Sequence, residues 1–320
     1  MPRYTIAVHP SHNRVYASAA PALTAAELSV LAPEASDVEV SVIAGVDHVT
    51  FTSDRLPPGL GRLSGLFAAY ELVGELLAPV EVPRASTHDD DLVTIQRYAG
   101  KTNESFTKLL LNVTAAAAHR EPRDLLDPLA GRGTTLNVGL LHGLDVAGIE
   151  LNRRDVEMHA AFLLQWLRDK RYKHSSRRSS VNRKGKPKAL RVDIELAPDK
   201  AAPNQRAVLV ADDTRYAMDH FGAGSFDLVV ADLPYGVQHG SRTEALARSP
   251  ADLLGEALPV WTKLMRRGGA VGIAFNALVL DPSHAHALVA AAGLQPFALP
   301  AFQHRVDASI VRDLVVATRP

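Results

Sequence analysis

The chain has 320 residues, 47% hydrophobic and 22% charged, a composition that argues for a folded globular protein of about two domains and against disorder or a fibre. It contains no cysteine, which excludes disulfides, thiolate metal sites and cysteine nucleophiles. The formal charge of zero conceals an asymmetry: residues 1–97 carry six Arg, no Lys and twelve acids, for a net of −6, whereas residues 168–191 carry eleven Lys or Arg and one acid, for a net of +10.

No apolar run reaches the roughly 18 residues of a membrane span, so none is expected. The opening MPRYTIAVHPSH lacks a basic end followed by an apolar stretch, so no signal peptide is expected and a cytoplasmic protein is read. Tyr4–Val8 reads as a strand. Thr24–Leu31 reads as a helix after Pro21, with Thr24 as N-cap and Glu27 three residues on. Val38–Ile43 and His48–Thr52 alternate like strands. Across Arg62–Leu77, apolar residues at Leu63, Leu66, Phe67, Tyr70, Leu72, Val73 and Leu76 fit an amphipathic helix. Pro79, Pro83 and the acidic run His88–Asp91 read as a linker.

From residue 105 strands and helices alternate. Helices are expected at Ser105–Ala118, around Thr134–His142, and at Asp155–Lys170, Pro250–Arg267 and Ser283–Ala292. Strands are expected at Asp124–Asp127, Ala147–Glu150, Ala207–Ala211, Phe226–Ala231 and Ala270–Phe275. Pro296–His304 and Ile310–Thr318 suit a terminal antiparallel pair. Such alternation predicts a doubly wound, mostly parallel α/β sheet. The chain divides into a small N-terminal α/β domain at residues 1–95 and a larger one at residues 96–320, the latter carrying the basic insertion 168–191. Its serines and glycine predict a flexible, solvated segment, and its charge suits a phosphate backbone.

Leu125–Leu136 reads LLDPLAGRGTTL, an apolar strand entering Asp127–Pro128, then Gly131-Arg-Gly133, then a helix opened by Thr134 or Thr135. Glycines at a strand-to-helix turn let the backbone approach a ligand closely. The spacing matches neither GxGxxG nor a P-loop, and alone it also suits a plain βα turn. Glu150 ends the next strand about 20 residues on, where an acid can accept both hydroxyls of a ribose. The two features together indicate a nucleoside-containing cofactor, a dinucleotide or S-adenosylmethionine (SAM).

Phe226–Gly236 reads FDLVVADLPYG. Ligands of open α/β sheets bind at the carboxyl ends of strands. There Asp232 offers a side-chain acceptor, Leu233 a carbonyl restricted by Pro234, and Tyr235 an aromatic face for a base. Two acceptors and a stacking plate suit an exocyclic amine on a planar ring.

In that order, DPLAGRGTT, GIELN, ADDT and DLPYG resemble the amino-group SAM-dependent methyltransferases with their (D/N)-P-P-(Y/F) signature, most nearly the tRNA guanosine N2-methyltransferases with a THUMP-containing N-terminal region. YAGKTNESFTKLLLN resembles that family's helix closing over the methionine part of SAM, and HRVDASIVRDLVV its last strands. The resemblance spans residues 98–320. It implies a Rossmann-like class I methyltransferase sheet, SAM as cofactor and tRNA as partner, with room for a partner subunit and no membrane. It implies that Asp127, Gly131, Gly133 and Thr134 shape the methionine pocket and Glu150 holds the ribose. Asp212, or Asp213 one residue on, accepts from the adenine amine. Asp232, Leu233 and Pro234 orient the target amine and Tyr235 stacks on the base. The second signature position is Leu233 rather than proline, and residues 1–97 are short for a complete THUMP region.

The expected activity is methylation of guanine N2 in tRNA. The alternatives are a DNA adenine-N6 or cytosine-N4 methyltransferase, and a SAM- or RNA-binding protein without turnover. Lys101, Asn103 and Phe106 are read either as cofactor-lining or as a helix start capped by Asn103 or Thr102. His239 is a candidate substrate contact or a loop histidine, and Asn276 faces the pocket or caps a turn. The thirteen histidines show no metal-ligand spacing.

Overall fold

The computed structural model describes residues 1–11, 13–83, 85–183, 186–197, 204–234 and 249–320. An antiparallel five-stranded sheet forms first, in spatial order β2-β3-β1-β4-β5, from β1 (Arg3–Val8), β2 (Ser36–Ile43), β3 (Val46–Thr52), β4 (Leu66–Val73) and β5 (Leu76–Val80). The β2–β3 turn places Ala44 and Gly45 at φ +50° and +79°, the left-handed pair of a tight hairpin.

One helix, α1 (Arg14–Leu31), covers this sheet. It begins ten residues before the expected Thr24, because Asn13 caps it, its side chain accepting from the Val15 and Tyr16 amides at 3.0 and 3.1 Å, and Pro21 lies inside it. Thr24 is therefore a buried mid-helix residue and not a cap. The expected helix at Arg62–Leu77 is instead the β4–β5 hairpin. Gly74, at φ +61°, turns the chain between paired Val73 and Leu76. Most residues of β4 and β5 are partly exposed, so their apolar spacing reports no single buried face.

The proline-rich and acidic segment is no free linker. The Thr87 amide donates to the Leu141 carbonyl at 2.8 Å, and buried His88 meets Gln205 at 2.6 Å. A short helix, α2 (Asp91–Thr94), follows, and Asp91 accepts from Trp166 Nε1 at 2.9 Å.

The second sheet has the order β13-β15-β12-β11-β6-β7-β10-β9-β8. Its parallel centre comprises β6 (Asp124–Asp127), β7 (Asp145–Glu150), β10 (Gln205–Ala211), β11 (Phe226–Asp232) and β12 (Met265–Asn276). Helices α3 (Glu104–Ala117), α4 (Thr134–Leu141), α5 (Arg153–Asp169), α6 (Pro250–Leu264) and α7 (Pro282–Ala291) connect and cover it. The central strands are almost wholly buried on both faces, as a covered parallel sheet requires. Helix α6 stops three residues short of Arg267, because Met265 already pairs with Phe226 as the start of β12. The terminal pair is shorter than expected: only β13 (Gln295–Pro296) and β14 (His304–Arg305) pair with β15 (Val311–Thr318), itself antiparallel to β12.

The basic insertion is the largest departure from expectation. Most of it lies in a hairpin of β8 (Lys173–Arg183) and β9 (Lys186–Ala197), with β9 antiparallel to β10. The reason lies beyond the basic run. Leu190, Val192, Ile194 and Leu196 alternate and bury one face of β9 in the same core as Leu163, Trp166 and Leu167 of α5.

A buried polar cluster joins the first sheet unit to α3. Glu27 of α1 accepts from the Ser64 amide at 3.1 and 3.2 Å, from Ser64 Oγ, and from Asn112 Nδ2 at 2.7 Å. Asn112, on α3, also donates to the Arg62 carbonyl at 2.6 Å. Burial pushes the Glu27 carboxyl from its ordinary value near 4.5 up to about 7, despite these donors. Between those values the folded protein holds a proton that the unfolded chain has lost. Glu27 therefore makes stability fall as pH rises through that window, by at most on the order of 3 kcal/mol. In Glu27→Gln, the amide oxygen keeps Asn112 and the Ser64 amide while the amide nitrogen donates to Ser64 Oγ. Denaturant unfolding at pH 5 and pH 8 is expected to show the variant gaining on wild type at pH 8. An equal difference at both pH values would place the Glu27 proton elsewhere.

Candidate active site

Four carboxylates gather at the carboxyl ends of the parallel strands. Asp232 ends β11, Asp127 ends β6, Glu150 ends β7 and Asp212 follows β10. The strand order β11-β6-β7-β10 sets them in that sequence along one edge. Burial pushes Asp127 up to about 7, with Asp232 and Glu150 adding to the shift as like charges. Burial also raises Glu150, partly offset by amide hydrogen bonds. An acidic mouth of this kind favours a cationic ligand and disfavours a pyrophosphate.

The glycine turn is bound into this edge. Asp127 Oδ1 accepts from the Leu129 amide at 3.0 Å, and the Ala130 amide donates to the Ile149 carbonyl at 2.9 Å. Gly131 and Gly133 both take left-handed φ, +49° and +81°. A Cβ on Gly131 would stand in open space, whereas one on Gly133 would lie 2.0 Å from the His159 ring. Gly131 therefore leaves room above the loop, and Gly133 lets the loop close onto α5. The Gly131 amide does not point to an empty anion site; it donates to Glu150 Oε2 at 2.9 Å, while Oε1 accepts from the Asn152 amide at 2.7 Å. Both oxygens of Glu150 are thereby oriented.

Thr134 opens α4 and shares a 2.8 Å hydrogen bond with Tyr98. Arg132 lies over the Tyr98 ring at 5.0 Å and pairs with Asp155 at 2.8 Å. Tyr98 thus closes one side of the glycine turn, a contact between distant residues for which their spacing carries no signal.

The Asp212 amide donates to the Glu150 carbonyl at 3.0 Å, so its backbone adjoins the ribose candidate. Its Oδ1 accepts from the Asp213 amide at 2.7 Å, and its Oδ2 meets His220 Nε2 at 2.6 Å. Asp213 instead caps a 3-10 turn, Thr214–Asp219, and accepts from Arg215, which reaches on to Glu256 at 2.8 Å.

Asp232 Oδ2 accepts from Thr102 Oγ1 at 2.5 Å. Thr102 precedes α3, whose cap is Asn103, accepting from the Phe106 amide at 3.1 Å. Leu233 is buried, and its amide donates to the Ala274 carbonyl at 2.9 Å, a bond that proline could not make. Pro234 is exposed. Tyr235 and His239 lie outside the described residues.

The remaining candidates are engaged by groups of the chain itself. Lys101 Nζ donates to the Val93 and Gln96 carbonyls at 2.6 and 2.7 Å and to Glu104 at 2.5 Å. Phe106 is wholly buried beneath the Arg312 guanidinium, 4.3 Å from its ring centroid. Asn276 holds a turn, donating to the Ser309 carbonyl at 3.0 Å and accepting from the Leu278 and Val311 amides at 3.1 Å. No helix of the described residues is long and apolar enough to cross a membrane.

No sequence-family model matches the chain, and no curated protein matches it by sequence. Solved structures do match it in shape. TrmN from Thermus thermophilus aligns over 100% of both chains at 13% identity, with a TM-score of 0.50. A geranyl diphosphate methyltransferase in complex with SAM aligns over 68% of this chain and 85% of its own at 11% identity, with a TM-score of 0.42. The mixed sheet, with its parallel centre and antiparallel penultimate strand, has the Rossmann-like class I methyltransferase fold.

Proposed function

We propose that the chain is a SAM-dependent methyltransferase acting on an exocyclic amine of a nucleic-acid base, guanine N2 of tRNA being the substrate its motifs resemble. In this reading residues 96–320 are the methyltransferase unit and residues 1–95 a small substrate-docking unit. The observation that carries the cofactor assignment is the acidic edge around the glycine turn: the Gly131 amide serves Glu150 and no free anion, and Asp232, Asp127, Glu150 and Asp212 stand at neighbouring strand ends, a setting that disfavours a pyrophosphate. SAM supplies an electrophilic methyl group on a sulfonium and carries positive charge that these carboxylates complement.

Within that scheme Asp127, Gly131, Gly133 and Thr134 form the methionine pocket. Glu150 takes the ribose hydroxyls. Asp212 accepts from the adenine amine, with Asp213 holding the turn behind it. Asp232 and the Leu233 carbonyl accept from the target amine and aim its nitrogen at the methyl group, Pro234 restricts the carbonyl, and Tyr235 stacks on the base. Thr102 fixes one oxygen of Asp232. The amine needs no strong base, since its proton leaves after nitrogen has acquired positive charge. Positioning and electrostatics carry the rate.

Calorimetry tests the cofactor. SAM and S-adenosylhomocysteine should bind, and Glu150→Ala should weaken both roughly 10- to 100-fold, as loss of hydrogen bonds to a charged group does. Tight binding of NAD with none of SAM would reverse the assignment. Mass spectrometry of nucleosides from tRNA, rRNA and DNA, with and without the gene, tests the substrate. A missing methylated base in DNA alone would move the assignment to a DNA methyltransferase.

A further inference from the structure

The β8–β9 hairpin has a pattern that packing alone does not demand. Directly paired residues of an antiparallel pair share a face, and the pairs His174–Leu196, Ser176–Ile194, Arg178–Val192 and Ser180–Leu190 lie on the face turned to α5. On β9 that face is apolar and buried, but on β8 it is His, Ser and Arg. The other face carries Ser175, Arg177 and Ser179 opposite Glu195, Asp193 and Arg191. Strand β8, about 36 Å long at strand spacing, is thus polar on both faces from Lys173 to Ser180, with Val181 its one apolar residue. Exposed cations line it and its flanks: Arg171, Lys173, Arg177, Arg178 and Lys188.

The register also fixes where this strip leads. Leu190 pairs with Ala211, the residue before Asp212. Lys186, at the start of β9, therefore lies about 13 Å beyond the catalytic edge on the same side of the sheet. The hairpin is braced to that edge as well. Arg191 lies over the Phe221 ring at 5.6 Å and donates to the His220 carbonyl at 3.1 Å, and His220 in turn meets Asp212. On the open face a cleft of about 590 Å³ is lined by Ser175, Arg177, Ser179, Arg191 and Arg206, with Asp193 and Glu195. Asp193 is engaged by Arg191 at 2.9 Å, so among the described residues Arg177 has no ion-pair partner in that cleft.

We propose that the β8–β9 hairpin is an RNA-binding arm, along which the phosphate backbone of the substrate RNA runs past Arg177 and Arg178 while the base to be methylated enters the edge at Asp232. The inference rests on the methyltransferase reading above and names how that site holds its substrate. Charged residues on an edge strand also guard against strand pairing between copies. A guard needs neither cations on both faces nor a projection past the catalytic edge.

The test uses the full chain with Arg177→Gln and Arg178→Gln together, and Arg177→Lys with Arg178→Lys as the charge-keeping control. Binding to an unmodified tRNA transcript is followed from low to physiological salt, with SAM affinity confirming an intact fold. The glutamine pair should bind about 10-fold more weakly at low salt, and its slope of log affinity against log salt should be shallower by about 1–2. The lysine pair should keep the wild-type slope. An unaltered slope and affinity in the glutamine pair would overturn the arm, as would self-association of that variant with unaltered RNA affinity. Duplex DNA of equal charge binding more tightly than the transcript would overturn the choice of RNA. Methyl transfer by the wild type to the same transcript separates the two readings. Transfer with an unaltered slope removes the arm alone, whereas a shallower slope without transfer keeps the arm and removes the tRNA assignment.

Discussion

Asp232→Ala is expected to lower single-turnover methyl transfer by at least about 10²-fold, the scale on which losing one well-placed electrostatic group acts. The target nitrogen gains positive charge as the new bond forms, so the carboxylate matters more in the transition state than in the ground state. RNA affinity should change little, because phosphate contacts dominate it. The same geometry gives Thr102 a graded effect. Its hydroxyl holds Oδ2 of Asp232 at 2.5 Å. Thr102→Val should slow transfer about 10-fold with SAM affinity retained, and Thr102→Ser should restore it. Wild-type rates in Asp232→Ala would remove the proposed amine site. A loss in the Ser variant with wild-type transfer in the Val variant would mean that the methyl group of Thr102 matters, not the bond.

The second large effect falls on stability. Gly133 sits at φ +81°, and an added Cβ would meet the His159 ring 2.0 Å away. His159 cannot simply swing aside, since it is buried and holds Asn137 Oδ1 at 3.0 Å. Gly133→Ala combines left-handed strain of about 1–2 kcal/mol with overpacking of about 1–3 kcal/mol. Denaturant unfolding should show a loss of about 2–5 kcal/mol. Adding His159→Ala should relieve the clash but not the strain, so the double variant should be less destabilised than the sum of the two single variants. Strict additivity would show that the ring is not what Gly133 accommodates.

The two largest misreadings of the sequence share a physical cause. At Arg62–Leu77 a helical spacing of apolar residues was fulfilled by a small, half-exposed hairpin, where Gly74 and the neighbouring strands decide the outcome and periodicity does not. In the basic run, serines and glycine predict flexibility, while the ordering force comes from Leu190–Leu196, whose alternation starts at its far end. The central strands were legible because burial on both faces demands nearly continuous apolar runs with glycine or acid at their ends. The same rule exposes Asp127, Glu150 and Asp232, with Gly131 in the turn after the first, and the strand order brings these three ends together. The sequence offers Thr102 only as a helix cap, because a single hydroxyl partner 130 residues away has no local signature. The sequence ranks Asp212 first and Asp213 one residue on as its fallback, with no local signal for their separate partners. Only the turn that follows separates them, giving Asp213 to Arg215 and Asp212 to His220.

Helix α3 spans more than the site it begins at. Its leading end adjoins Thr102, and so Asp232, while its middle is tied through Asn112 to Glu27 and the Arg62 carbonyl. The Asp232 carboxylate, at the proposed amine site, is thus one rigid element away from the first sheet unit, although the two lie far apart in the chain. Trimming the chain to residues 96–320 would remove both partners of Asn112 and strip cover from Leu109, Leu110 and Val113, which share a core with Leu23, Leu28 and Leu63. Any exchange of the first ninety-odd residues for those of another protein would therefore have to carry a matching face of α3 with it. The natural seam for such grafting runs between the two sides of this helix and not through the proline-rich stretch before it.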